Sequence, residues 1–219
     1  MTPEAAPLAP EELARLPVFP LPRVVFFPGT LLPLHFFEPR YRAMIEDCLE
    51  KGPKALAIAL LKPGYETDYD GKPAIHAIAG AGRILAHEKN ADGTHDIVLQ
   101  GMTRVSLEEL EVDTPYRVAK ATPLEDQGGE VPRSEVTTLL ACATQVAQVV
   151  RQQHPEFALG VSVQDPPHRV ADTVADRFVA EPARRQAILE ALDVRERLSL
   201  VTDSVGELLA HLASHEAPS

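Results

Sequence analysis

Only two cysteines, Cys48 and Cys142, occur in the 219 residues. Neither belongs to a C-x-x-C or C-x-x-H pair, so the sequence spells out no cysteine-based metal site. Each falls in an apolar helical pattern and reads as a small buried hydrophobe. Basic runs are missing as well. The formal net charge is −11, and both parts of the chain are acidic: 13 basic against 20 acidic side chains up to residue 130, and 8 against 12 beyond it. Such a chain repels phosphate backbones and anionic lipid on average. No apolar run approaches the roughly 18 residues that span a bilayer. The first residues, MTPEAAPLAPEE, place acids and prolines where a signal peptide needs basic residues and an apolar stretch. A cytoplasmic location with no membrane partner is the expectation.

Signatures of catalysis are also absent. There is no G-x-x-x-x-G-K-S/T loop to cradle phosphates and no G-x-S-x-G elbow. None of the eight histidines forms H-x-x-x-H with a glutamate; His211 and His215 lie four apart but lack a third ligand and read as solvated. Glu108, Glu109 and Glu111 look equally exposed, whereas acid–base chemistry needs carboxylates in unlike surroundings. Gly80-Ala81-Gly82 begins a dinucleotide fingerprint but does not complete it, because Leu85 stands at the third glycine position. A bulge or bend in a curling sheet suits these glycines better. No cofactor and no enzymatic activity are expected.

What remains is an ordinary globular composition, with 45% hydrophobic and 24% charged residues. Residues 16–49 organise it. Pro17, Pro20, Pro22, Pro28 and Pro33 lack amide hydrogens, so residues 18–21 and 31–36 read as short edge-type strands. Pro28-Gly29 marks a turn between them. Pro39 suits a first helical position, with Glu38 at the favourable end of the helix dipole. Tyr41, Ile45, Cys48 and Leu49 follow at helical spacing. Residues 55–61 form a strand with leucine and isoleucine on one face and alanine on the other. Further strands are read over 75–87, 97–99, 104–110 and 116–122, with Asp92-Gly93 as a hairpin turn. Many short strands punctuated by Gly and Pro, with one early helix, predict a curled, partly closed barrel.

Glu125-Asp-Gln-Gly-Gly-Glu130 is the best boundary in the chain. Beyond it the period becomes helical. A helix is read over 132–153, a second around Val170, Val174 and Phe178, a third from Pro182, and a last one capped by Asp193. The expected organisation is a flexible tail (1–15) with one helical turn over residues 11–15, a β-rich subdomain (16–124), a linker (125–131) and a helical subdomain (132–213).

Three stretches resemble one family. LPVFPLPRVVFFPGTLLPLHFFEPRYRAMI, with FEPRYR its most specific part, is similar to the start of the Lon protease amino-terminal domain. GAGRIL followed by DGTHDIVLQGMTRV resembles that domain's paired G-x-x-R strands, which puts Arg83 and Arg104 on its two arginines. VADTVADRF and RQAILEALDVRERL resemble its helical half. The resemblance covers about residues 16–212, weakest over 123–169, and is nearest to stand-alone bacterial proteins built on this domain; the family's ATPase would begin where this chain ends. It implies an α+β fold: a PUA-like curled mixed β-sheet or pseudo-barrel with one early helix, then an α-helical bundle.

The same resemblance implies a non-enzymatic module that binds unfolded or apolar polypeptide, in protein quality control or as an adaptor, with a protease or chaperone as partner. Phe36, Phe37 and Tyr41, where strand gives way to helix, are the expected peptide contacts. The alternative implied by a PUA-like barrel is RNA or nucleotide binding, which the acidic balance disfavours. Arg83 and Arg104 have two open roles, as ligand contacts or as anchors for carbonyls and carboxylates at the barrel rim.

Overall fold

The computed structural model describes residues 7–68 and 71–216. Two compact units divide at Leu124/Glu125. The first contains α1 (Pro10–Ala14), β1 (Leu16–Leu21), β2 (Leu31–Phe36), α2 (Pro39–Glu50), β3 (Ala55–Leu60), β4 (Ile78–Lys89), β5 (His95–Glu109) and β6 (Arg117–Leu124). The sheet order is β2-β5-β4-β3-β1-β6, and a further β5–β6 pairing closes five of the strands into a barrel. Only β2 stands outside the closure. β1 runs parallel to β3, and all other pairings are antiparallel.

The barrel is narrow, and its residues show why. One buried cluster takes Leu16 and Val18 from β1, Ala55, Ala57 and Ala59 from β3, Ala79 and Ala81 from β4, Val105 from β5, and Ala119 and Ala121 from β6. Alternate residues from all five closed strands converge there, which makes this cluster the barrel interior. A five-stranded barrel leaves little room inside, and alanine fills it. The larger side chains point the other way. Phe19, Phe26, Leu56, Ile58, Ile97 and Leu99 pack outside the barrel against Tyr41, Met44, Ile45 and Cys48 of α2 and against Phe36. Burial pushes the Cys48 thiol up to about 12, with Asp47 adding to the shift, so this cysteine is an inert hydrophobe.

Several expectations change. β1 was read as an edge strand because of its prolines, yet it lies between β3 and β6. It pairs with β6 only over Leu16–Val18 and with β3 only from Val18 onward. Pro17 therefore precedes the β3 pairing and Pro20 follows the β6 pairing, and each escapes one partner. β5 is a single strand running through Gly101, where two strands were expected. Gly101 is required for a different reason: a Cβ there would lie 2.1 Å from the Phe27 carbonyl oxygen. Residues 7–15, expected within a flexible tail, are packed. Leu8 and Leu13 join the barrel-interior cluster, and the Glu12 carboxylate accepts from both terminal nitrogens of Arg83 at 2.9 Å. Residues 1–6 of that tail lie outside the described residues.

Pairing with Arg83 holds the Glu12 carboxyl below its usual range. A depressed carboxyl contributes stability above its ordinary value and loses it as pH falls through the lowered one. Acidification below about pH 4 is therefore expected to release α1, seen as faster hydrogen exchange at the Leu13 amide. Arg83→Gln should weaken docking at neutral pH and flatten this dependence; an unchanged pH profile in that variant would rule out the pair as its source.

The second unit is helical: α3 (Arg133–Gln153), α4 (Pro167–Phe178), α5 (Pro182–Glu190) and α6 (Val194–Glu216). Asp193 caps α6, accepting from the Arg195 and Glu196 amides at 2.9 and 3.0 Å. The segment after Glu125 is tied to this unit: the Gln127 amide donates to the Leu192 carbonyl at 2.8 Å, and the Val194 amide donates to Gln127 at 3.1 Å. Arg197 is fully buried at its centre. Its Nε donates to the Ala191 carbonyl at 2.9 Å, and its guanidinium meets Asp126 at 2.6 Å and buried Asp172 at 3.7 Å.

Candidate functional site

Two features of the sequence open a face on the first unit. Phe27-Pro28-Gly29-Thr30 forms a turn, with Gly29 at φ +78°, where a side chain is strained, and both Thr30 amide and hydroxyl directed to the Phe27 carbonyl. This turn delivers β2 to β5 with Leu32, Leu34 and Phe36 toward the core and Leu31, Pro33 and His35 outward. The opposing register is Pro33↔Val98 and His35↔Asp96. On the other side of β5, Val98 faces Ala86 and Asp96 faces Glu88. Two rows result across three strands: an apolar one, Pro33-Val98-Ala86, and a polar one, His35-Asp96-Glu88.

These rows line a groove of about 420 Å³, within the size range of ligand clefts. Three of the four exposed large hydrophobics of the described residues are close to its lining residues in sequence: Leu31 two before Pro33, Phe37 two after His35, and Leu85 next to Ala86. Leu85 is exposed because β4 is irregular there: Ile84 faces Leu99 and Ala86 faces Val98, so Leu85 is an extra residue with no partner. Phe37, 64% exposed, stacks its ring on His35, with centroids 6.1 Å apart. His35 Nδ1 in turn lies 2.7 Å from Asp96 Oδ1, and Asn90 donates to Asp96 Oδ2 at 2.7 Å. Hydrogen bonding by Asn90, and then by His35, holds the Asp96 carboxyl below its usual range, so it is charged at neutral pH.

Among the expected contacts, the structure separates Phe37 from the other two. Phe36 is 1% exposed and Tyr41 is buried, and both rings pack on Phe19, with centroids 4.8 and 4.6 Å away. The strand alternation turns Phe36 inward, and the chain leaves β2 immediately after it, which frees Phe37. Replacing Phe36 with serine is therefore expected to cost about 3–5 kcal/mol in stability, measured by urea unfolding, while Phe37→Ser stays within about 0.5 kcal/mol of the parent. Arg83 is held by Glu12 at the α1 side, and Arg104 is buried within β5. Neither lines the groove. Glu109, expected to be solvated with its neighbours, pairs at 3.0 Å with buried Arg117, which also donates to the Pro73 carbonyl.

Leu31, Pro33 and Leu85 were missed by sequence reasoning. The signal for β2 was present, since its alternate residues are apolar on both faces, but a bulge that exposes Leu85 has no local signature. A second histidine pair was also missed. His87 and His95 share a hydrogen bond of 2.8 Å, and burial, then proximity to His87, pushes the His95 imidazole below its usual range. Among the described residues no group of three His, Cys, Asp or Glu side chains converges as a metal would need, and the side chain of His215 lies outside them. No helix among the described residues is long and apolar enough to cross a membrane.

A barrel with one outlying strand and an outer groove of apolar floor forms the first unit, and helices form the second. Comparison with known proteins identifies the family. The model of the ATP-dependent protease La (LON) substrate-binding domain matches residues 15–206, and the chain belongs to that family, as a substrate-recognition module. Lon protease of Xanthomonas oryzae pv. oryzae is 28% identical over 201 residues, covering 90% of this chain and 23% of the relative. Lon protease of Escherichia coli (strain K12) is 27% identical over 189 residues, covering 85% and 24%. The chain thus spans about a quarter of the length of these curated relatives. Two solved structures share the fold: a Lon N-terminal domain protein from Xanthomonas campestris (TM-score 0.62, 22% identity, covering 90% of this chain and 97% of that one) and the N-terminal domain of Mycobacterium avium complex Lon protease (TM-score 0.66, 19% identity, covering 88% and 98%).

Proposed function

We propose that this chain binds unfolded or apolar polypeptide segments in the groove on the outer face of β2, β5 and β4, catalyses nothing, and serves cytoplasmic protein quality control as an adaptor to a protease or chaperone. The observation that carries this reading is the apolar Pro33-Val98-Ala86 floor of the groove, with exposed Phe37 stacked on His35, Leu31 outward on the same strand and exposed Leu85 next to Ala86 in β4. Exposed apolar side chains gathered at a cleft mark interaction surfaces. Docking on the face is favoured over extending the sheet. The Thr30 carbonyl accepts from Gly101, so strand alternation turns the backbones of Leu31, Pro33 and His35 toward the open edge. Pro33 has no amide there, which leaves two donors four residues apart and blunts strand addition. The groove is lined by no lysine or arginine, which supports polypeptide over RNA.

Affinity is expected to be modest, on the order of micromolar, because ordering a flexible segment offsets much of the contact energy. The test is fluorescence anisotropy with a labelled, reduced and unfolded model polypeptide and with its folded form. The unfolded form should bind, the folded form should not, and Phe37→Ser should weaken binding about tenfold, the share of a single aromatic anchor. Equal binding of both forms, or no change on replacing Phe37, would contradict this assignment.

A further inference from the structure

The floor of the groove is apolar, but its polar row carries an unbalanced charge. Glu88 and Asp96 are direct cross-strand partners on β4 and β5, and like charges placed opposite one another are destabilising. His35 reaches Asp96 at 2.7 Å, yet no such contact joins it to Glu88. Asp92 adds a third carboxylate in the hairpin that joins the two strands, held ionised by the Thr94 amide and hydroxyl. The nearest lysine in sequence, Lys89, is committed elsewhere, with its Nζ 2.7 Å from Glu46. The groove thus offers carboxylates beside an apolar floor, and no lysine or arginine lines it.

Resting on the reading that the groove holds polypeptide, we infer a selectivity within it: the preferred segment carries lysine or arginine next to its apolar residues. An apolar side chain of the segment lies on Pro33, Val98 and Ala86 with Phe37 alongside. A neighbouring ammonium or guanidinium stands over Glu88 and Asp96, relieving their mutual repulsion on binding. A segment flanked by glutamate or aspartate would add a further negative charge to the pair and is rejected. The two rows lie two residues apart along each of the three strands, which is the spacing of side chains i and i+2 on one face of an extended segment, so such a pair reaches both.

The test compares labelled peptides of about a dozen residues with one shared apolar centre, flanked by lysine, serine or glutamate pairs. By anisotropy at about 50 mM salt, the lysine-flanked peptide should bind about tenfold more tightly than the glutamate-flanked one, with serine between. The gap should shrink severalfold at about 500 mM salt, where exposed charges are screened. Glu88→Lys, on an exposed side chain, should reverse the order of the lysine and glutamate peptides. Phe37→Ser should weaken all three alike. If the three bind equally in the parent protein while Phe37→Ser weakens each, the charge selectivity is wrong and the groove assignment survives. If none binds, both fall. An unchanged order in Glu88→Lys would also overturn the inference, with circular dichroism of that variant confirming that it is folded.

Discussion

Replacing Gly80 with alanine is expected to cost more than about 3 kcal/mol, enough to threaten folding of the first unit. A Cβ at this position would lie 1.9 Å from the Phe26 carbonyl oxygen and 2.8 Å from its carbon. The obstruction is backbone, so no rotamer change relieves it, and the segment carrying Phe26 and Phe27 must move off the barrel. Those two rings are fully buried, so the movement would also disturb packing. A Cβ at Gly82 would lie 2.4 Å from the Gln100 carbonyl oxygen and 2.7 Å from the Phe26 ring. The G-x-G pair is thus a pair of close backbone approaches beside an irregularity in the β4–β5 ladder. Gly129→Ala is the control: a Cβ there meets nothing within 4 Å, and its effect should stay within about 0.5 kcal/mol. Urea unfolding followed by circular dichroism separates the two outcomes. A Gly80→Ala protein as stable as the parent would mean that the loop crosses the barrel less closely than described.

Arg197→Ala is expected to destabilise the helical unit by about 3–5 kcal/mol. The side chain is 0% exposed. Its removal takes the guanidinium away from Asp172, itself 1% exposed, from Asp126 and from the Ala191 carbonyl. Much of the penalty is that of a buried carboxylate left with one countercharge fewer. Combining Arg197→Ala with Asp172→Ala should therefore recover part of the loss, as a double-mutant cycle would record. Additive effects in that cycle would show that the two side chains do not act as a pair. Because Asp126 follows the expected boundary directly, the same arginine also determines where the segment after Glu125 is fastened, and its loss should raise proteolysis around Gly128 and Gly129.

Much of this architecture was legible locally. β2 was found at its observed ends because alternating apolar residues follow a Pro-Gly turn, and α2 because Glu38-Pro39 opens a helical period. Other features depend on partners distant in sequence. Glu12 and Arg83 lie 71 residues apart, so nothing near either one announces that the start of the chain is packed. The prolines of β1 exclude a strand paired fully on both sides, and local reasoning could not anticipate a strand whose two pairings are offset. At the candidate site, four phenylalanines within twelve residues were visible as a group, but the loop before β2 buries two of them, and β2 ends with Phe36 turned inward. Phe26, Phe27 and Phe36 are core, and Phe37 alone is exposed. The groove's acidic row could not be read from the chain either, because Glu88 and Asp96 meet only through the register of β4 on β5.

The central claim is that polypeptide is recognised on the β2-β5-β4 face. Backbone-amide chemical shifts, recorded while a reduced, unfolded polypeptide is titrated into the intact protein, test it most directly. The account predicts perturbations grouped at residues 31–37, 84–88 and 96–98, saturating together and losing amplitude in Phe37→Ser. Perturbations confined to the helical unit, or spread evenly over the barrel without a maximum at this face, would contradict it.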